Sequence, residues 1–282
     1  MYNAKFISDN GTAFSFSLNN YVAFDIEGLS GYDVDVGTSQ GFGQIGETVE
    51  TQGLTGKPLT IKGVIFRNIP QIKKQMQKAF APFQSGQLIF NDKYKIFVIV
   101  KSSPTFNPKK KNGAFSMQLF APFPLWKTVD EKVDIIGGIT PLFSFPVNYA
   151  EPHKFGERSG AKYVNIVNNG DMETPLKISI IADSTNTNIV ISNLQTFEFL
   201  RFNGTLETGD EVQFYRDDYN QLIVELWRDG VKSDIIGWID DDSTLYNLKV
   251  GDNIIAIDSD EGGGNLSVSI MHSDALGAVY ED

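Results

Sequence analysis

The sequence predicts a mainly β chain of two domains, with one amphipathic helix in the first and an antiparallel sandwich of jelly-roll type in the second. Three observations carry that prediction. Short runs alternating apolar with polar residues, the period of a half-buried strand, recur along most of the 282 residues. A single segment, near residues 68–86, switches to helical spacing. The charge reverses at mid-chain: residues 1–135 hold 15 Lys and Arg against 11 Asp and Glu, the remainder nine against 24, so a half at +4 precedes one at −15. Such a sign change marks a domain boundary, and the chain is long enough for two cores without metals or disulfides.

In the first half, residues 12–18, 21–26 and 32–36 alternate as strands. A Gly- and Pro-broken approach leads into 59–66. Segments 87–90 and 94–100 flank Asn91-Asp92-Lys93, a connection of hairpin length, and 115–120 adds a strand before Ala121-Pro122-Phe123-Pro124-Leu125-Trp126. Asn68 stands near a helix cap with Pro70 inside the first turn. Ile72, Met76, Ala79, Phe80 and Phe83 then share one face of a helix of about four turns, with Pro82 and Gly86 marking its end. Ile72, Met76 and Phe80 should be buried against the sheet of that domain, with Lys73, Lys74 and Lys78 solvated.

Gly137-Gly138, Pro141, Pro146 and Pro152 mark an extended connector. The first domain is therefore expected at 1–135, the connector at 136–150 and the acidic second domain at 151–282. Candidate strands of the last are 163–167, 176–181, 188–191, 196–200, 211–215, 222–227, 234–238, 253–256 and 266–270. Eight or nine short strands without a helix, separated by turn residues, suggest the sandwich.

The absence of cysteine excludes a disulfide framework, a thiol nucleophile and thiolate zinc sites. With only His153 and His272, chemistry resting on paired histidines is not expected. The amino terminus lacks the apolar stretch of a signal peptide, and the longest apolar run, Ile96-Phe97-Val98-Ile99-Val100, is far below the roughly 20 residues of a membrane span. A soluble chain with no membrane insertion is expected. The acidic half does not suit a nucleic-acid grip, which needs clustered Lys and Arg.

Several motifs have a chemical and a bland reading. Gly41-Phe42-Gly43-Gln44-Ile45-Gly46 matches the dinucleotide fingerprint letter for letter, but Glu47 to Gly53 follow with no helical period and two acids where an anion would sit, so a flexible loop is expected. Asp240-Asp241-Asp242 and Asp258-Ser259-Asp260-Glu261 supply oxygen ligands without the spacing of a calcium loop, which favours solvated acidic loops. Trp227 and Trp238 could stack on sugars. Trp227 ends an apolar strand that favours the core, and Trp238 is the candidate sugar-stacking residue. Lys109-Lys110-Lys111, between Pro108 and Asn112-Gly113, could face a polyanion or simply end a hairpin in solvent. No pair of carboxylates and no Ser/His/Asp set stands out.

Gly63-Val64-Ile65-Phe66, the helix after it, Phe80-Ala81-Pro82-Phe83, Gly86-Gln87-Leu88, Ser103-Pro104 and Phe120 to Trp126 occur in the order seen in phage distal tail proteins. The second half resembles the same family through Val167-Asn168-Asn169-Gly170-Asp171, Thr174-Pro175, Ile191-Ser192-Asn193, Leu206 to Gly209-Asp210 and Leu248-Lys249-Val250-Gly251-Asp252-Asn253. The resemblance runs nearly end to end. It implies a ring-forming, tail-tube-like first domain and a galectin-like second domain. It further implies a homo-hexameric ring joining the tail tube protein to tail-tip, baseplate or receptor-binding proteins. DNA would pass through the ring without sequence-specific binding. The protein would be made in the host cytoplasm and end in the virion, at the tail tip. The family carries no catalytic residues or cofactor to transfer, so no enzyme is expected. The alternative is a carbohydrate-binding accessory protein recognising host cell-wall sugars.

Overall fold

The computed structural model describes residues 3–106, 113–137, 139–141, 156–158, 162–261 and 265–280. The chain forms two compact units: Met1–Asp130 with Asp218–Asn220 and Ala275–Asp282, and Glu131–Asp217 with Gln221–Asp274.

The first unit contains β1 (Ala4–Ser8), β2 (Ala13–Phe16), β3 (Val22–Glu27), β4 (Val34–Ser39), β5 (Thr48–Leu54), β6 (Lys57–Ile65), α1 (Ile69–Ala79), β7 (Ser85–Phe90), β8 (Tyr94–Phe106), β9 (Ala114–Ala121) and β10 (Trp126–Thr128). An antiparallel sheet runs in the order β2-β1-β7-β8-β9-β6-β3, and β10 joins it beside β8. Alternation fills one side of this sheet: Phe6, Phe16, Leu59, Ile61, Leu88, Phe90, Met117 and Leu119 are fully buried. The ladder between β8 and β9 shifts register around Ser102 and again before Thr105, where Pro104 has no N–H to donate.

α1 lays Ile72, Met76 and Ala79 on this core, and Phe80 caps its carboxyl end. The Phe80 ring stacks on Phe6 at 4.5 Å and lies 6.1 Å from Phe14 and 5.7 Å from Phe16. The helix is 11 residues, about three turns, and Phe83 does not continue the stripe: it is exposed, at φ 64°. Pro82 disfavours helical backbone at Ala81, so the helix stops and the spacing that would have carried Phe83 inward is lost.

The division between the units falls after Asp130, not at 135/136. Residues Lys132–Gly137 form β11, paired along β22 (Leu266–His272), with Ile136 fully buried in the second core. Of the expected connector, Ile139–Pro141 (β12) pairs with Gly156–Arg158 (β13), and 142–150 lie outside the described residues. The end of the chain also departs from the expected division. β23 (Ala275–Leu276) pairs with β10, and Val279 is buried with its N–H on the Leu29 carbonyl at 3.2 Å, both within the first unit.

The second unit adds β14 (Tyr163–Asn168), β15 (Lys177–Ala182), β16 (Asn186–Asn193), β17 (Glu198–Leu206), β18 (Glu211–Arg216), β19 (Leu222–Arg228), β20 (Val231–Asp234) and β21 (Gly251–Glu261). Two antiparallel sheets, β11-β22-β15-β18-β19-β20 and β14-β21-β16-β17, enclose one core. Phe214 of the first sheet meets Phe202 of the second edge-on at 6.2 Å. Asp229 and Gly230, both at positive φ, form the two-residue turn between β19 and β20. The strand expected at 234–238 is instead the end of β20 and a 3-10 turn. The Asp234 carboxylate accepts the Ile236 N–H at 2.9 Å, a local bond that competes with the ladder. Fully buried Asn168, Asn186, Asn193 and Asn253 bond to backbone carbonyls at the strand ends or to one another.

Candidate functional site

β4 and β5 form a hairpin that, among the described residues, pairs with no other strand. Its base is closed by the Thr55 N–H on the Asp33 carbonyl at 3.0 Å. Cross-strand register puts Val34 opposite Leu54, Val36 opposite Gln52 and, past an irregularity at Gly37/Thr38, Thr38 opposite Val49. Opposed residues share a face, so Val34, Val36, Val49 and Leu54 make one apolar face, each 39–50% exposed. Residues Gly41 to Gly46 are the tip of this hairpin. The Gln44 side chain organises it, accepting the Gly41 N–H at 2.9 Å and donating to the Thr48 hydroxyl at 3.0 Å. Phe42 and Ile45 stand fully in solvent. No helix follows, so the fingerprint spacing serves a turn, with Gly43 and Gly46 at positive φ.

This segment is one-signed. Residues 30–56 contain Asp33, Asp35, Glu47 and Glu50 and no Lys or Arg. Immediately beyond it Lys57 is buried, its ammonium 3.5 Å from the Gly277 carbonyl, and burial pushes its pKa down.

The residues singled out from the sequence are not gathered into one place. Ile72, Met76 and Phe80 belong to the first core. Lys109, Lys110 and Lys111 lie outside the described residues. Trp238 is half-buried, its ring over Gly204 and packed on the second core. Trp227 is exposed at the end of β19, beneath the Lys232 ammonium at 5.9 Å, and not in the core its strand suggested. The residue is last but one in β19, on the face turned from Val224 and Leu226.

The acids are engaged singly. Asn203 donates to Asp240 at 2.7 Å and, with the Asp242 N–H, holds its pKa below the usual carboxylate range. Lys162 faces Asp258 at 3.6 Å, and Asn188 donates to Asp260 at 2.9 Å. Among the described residues no three potential metal ligands come together. The hairpin's exposure was not legible in the sequence, because alternation reads the same whether its apolar face meets a core or solvent.

Residues 169–271 match the family model of the siphovirus-type tail component, C-terminal domain. No curated protein matches the chain in sequence. The crystal structure of the SPP1 Dit (gp 19.1) protein, described as a paradigm of hub adsorption apparatus in phages infecting Gram-positive hosts, aligns over 98% of this chain and 99% of its own. The TM-score is 0.63 at 12% identity. A chain of the phage P2 baseplate in its activated conformation with Ca aligns over 99% of both chains, at 14% identity and TM-score 0.48. The chain thus shares the fold of the SPP1 Dit protein over nearly its whole length, and its residues 169–271 are similar to the C-terminal domain of siphovirus-type tail components.

Proposed function

We propose that this chain is a structural hub of a phage tail, six copies closing a ring that joins the tail tube to tail-tip or baseplate proteins and lets DNA through. The observation that carries the reading is the hub fold spanned from one end of the chain to the other, with the family match inside the second unit. Ring closure is assigned to the first unit. Its sequence is mildly basic and its sheet has open edges at β2 and β3, whereas six segments near −15 would repel around an axis. A bore at modest positive charge does not hold phosphate tightly, which suits passage of DNA. The protein acts in the virion, after synthesis in the host, and performs no chemistry of its own.

Light scattering and electron microscopy on the full chain, across a concentration series and with tail-tube protein added, test this. Closed six-fold rings are expected. A chain that stays monomeric when concentrated and mixed with tail-tube protein overturns the reading.

A further inference from the structure

We infer that the β4–β5 hairpin is an arm that docks onto a second copy of this chain, along the open edge of β2 and the groove between that strand and α1. The inference rests on the ring reading above and names the surface that would join adjacent copies.

An isolated two-stranded hairpin is marginal in water, and this one carries four apolar side chains on one face with Phe42 and Ile45 bare at its tip. The receiving surface has the matching form. Among the described residues β2 pairs with β1 alone. At this edge the Ser15 carbonyl already accepts the Asn20 amide at 3.0 Å, so an added strand would pair at Ala13 and displace Asn20 to reach Ser15. Beside this edge lies a groove of about 500 Å³, lined by Thr12, Ala13 and Ser15 of the strand side and by Gln71, Gln75 and Lys78 of α1. An added strand would find backbone groups on one wall and amide donors and acceptors on the other.

Charge selects the same pairing. The hairpin segment has four acids and no base, while residues 51–91 have six Lys and Arg and no acid. Among the described residues, Lys74 and Lys78 have no carboxylate within ion-pair distance, and neither do Asp33, Asp35, Glu47 and Glu50. Opposite charge on two different surfaces of one chain favours a head-to-tail contact. Head-to-tail contacts close into rings when the rotation allows, whereas a self-complementary patch would stop at a dimer.

The chain has no cysteine, so engineered thiols report without background. Val36→Cys combined with Gln75→Cys, in the full chain under oxidation, should give a ladder of covalent oligomers at concentrations where light scattering shows assembly. Val36→Cys alone should give no species beyond a dimer. Lys74→Glu with Lys78→Glu should raise the concentration needed for assembly at least tenfold, and adding Asp35→Lys with Glu50→Lys should restore it. All these residues are surface positions, and circular dichroism checks that each variant folds. Wild-type rings with no ladder and no charge rescue overturn the docking while leaving the ring reading intact. Absence of assembly in the wild type overturns both. A cross-linked monomer below the assembly concentration shows the arm folding onto its own copy and also overturns the inference.

Discussion

Phe80→Ala and Phe83→Ala, three residues apart on what the sequence presents as one stripe, should differ by nearly the whole worth of a buried ring. Phe80 is fully buried, stacked on Phe6 at 4.5 Å with Phe16 and Phe14 within 6.1 Å, whereas Phe83 is 96% exposed. Removing a buried Phe costs about 3–5 kcal/mol, and aromatic pairing adds about 0.5–1.5 kcal/mol per good pair. Because the site is enclosed by rigid rings and backbone that collapse poorly, the upper part of the range, about 4–5 kcal/mol, is expected. With an m-value of roughly 2 kcal/mol/M in urea, the midpoint of the first unit should fall by about 2 M. Trp126 is buried in that unit, while Trp227 and Trp238 belong to the second. Urea titration followed by tryptophan fluorescence, in a Trp227→Phe, Trp238→Phe background, therefore reads the first unit alone. Phe83→Ala should stay within about 0.5 kcal/mol of its parent. A loss below about 1 kcal/mol for Phe80→Ala, or equal losses for the two, would refute the packing described.

Three further outcomes are expected. His272 is buried with neither ring nitrogen hydrogen-bonded, and burial lowers its pKa, against a partly opposing pull from Asp134 at 3.5 Å and Asp274 and a further lowering by Lys132. Its unfolded form binds a proton near pH 6.5 and its folded form only lower. Stability is therefore full above about pH 6.5 and declines as pH falls below it, by up to about 1.4 kcal/mol per unit, until the folded value is passed. Urea titrations at pH 7.5 and 5.0 should show the decline in the wild type and a flatter profile in His272→Leu; a flat wild-type profile would count against it. Buried Asp210 accepts both Arg228 Nε contacts at 3.0 Å and the Glu207 N–H at 2.7 Å, and the Arg228 hydrogen bond holds its pKa low. Arg228→Ala should destabilise the second unit by about 2 kcal/mol, the half-exposed guanidinium limiting the loss, as measured by its urea midpoint. Gly204→Ala would push a Cβ into the Trp238 ring, so a cost of about 1–3 kcal/mol and a shifted Trp238 emission are expected, and an unchanged spectrum would exclude that contact.

Strand alternation, the single helical stripe and the turn residues sufficed for a mainly β chain with one helix, because these are local periodicities that any partner surface must respect. Ile72, Met76 and Phe80 were legible for that reason. Tertiary structure decided the rest. Phe83 left the stripe once Pro82 ended the helix. Asp234 stopped a strand that Ile235, Ile236 and Trp238 would have continued, by capturing the Ile236 N–H. β11 begins on the first side of the charge boundary yet pairs along its whole length in the second unit, and Ala275–Leu276 pairs back in the first. Composition cannot register such exchanges, since pairing between distant segments leaves no mark on local residue frequencies. The β4–β5 hairpin is the sharpest case. Val34 and Val36 alternate as core strands do, Val49 and Leu54 join their face only through the register shift, and among the described residues no other strand pairs with the hairpin, so that face is uncovered. Periodicity states which residues share a face, and the energy of burying that face depends on a partner that lies elsewhere in the chain or in another copy.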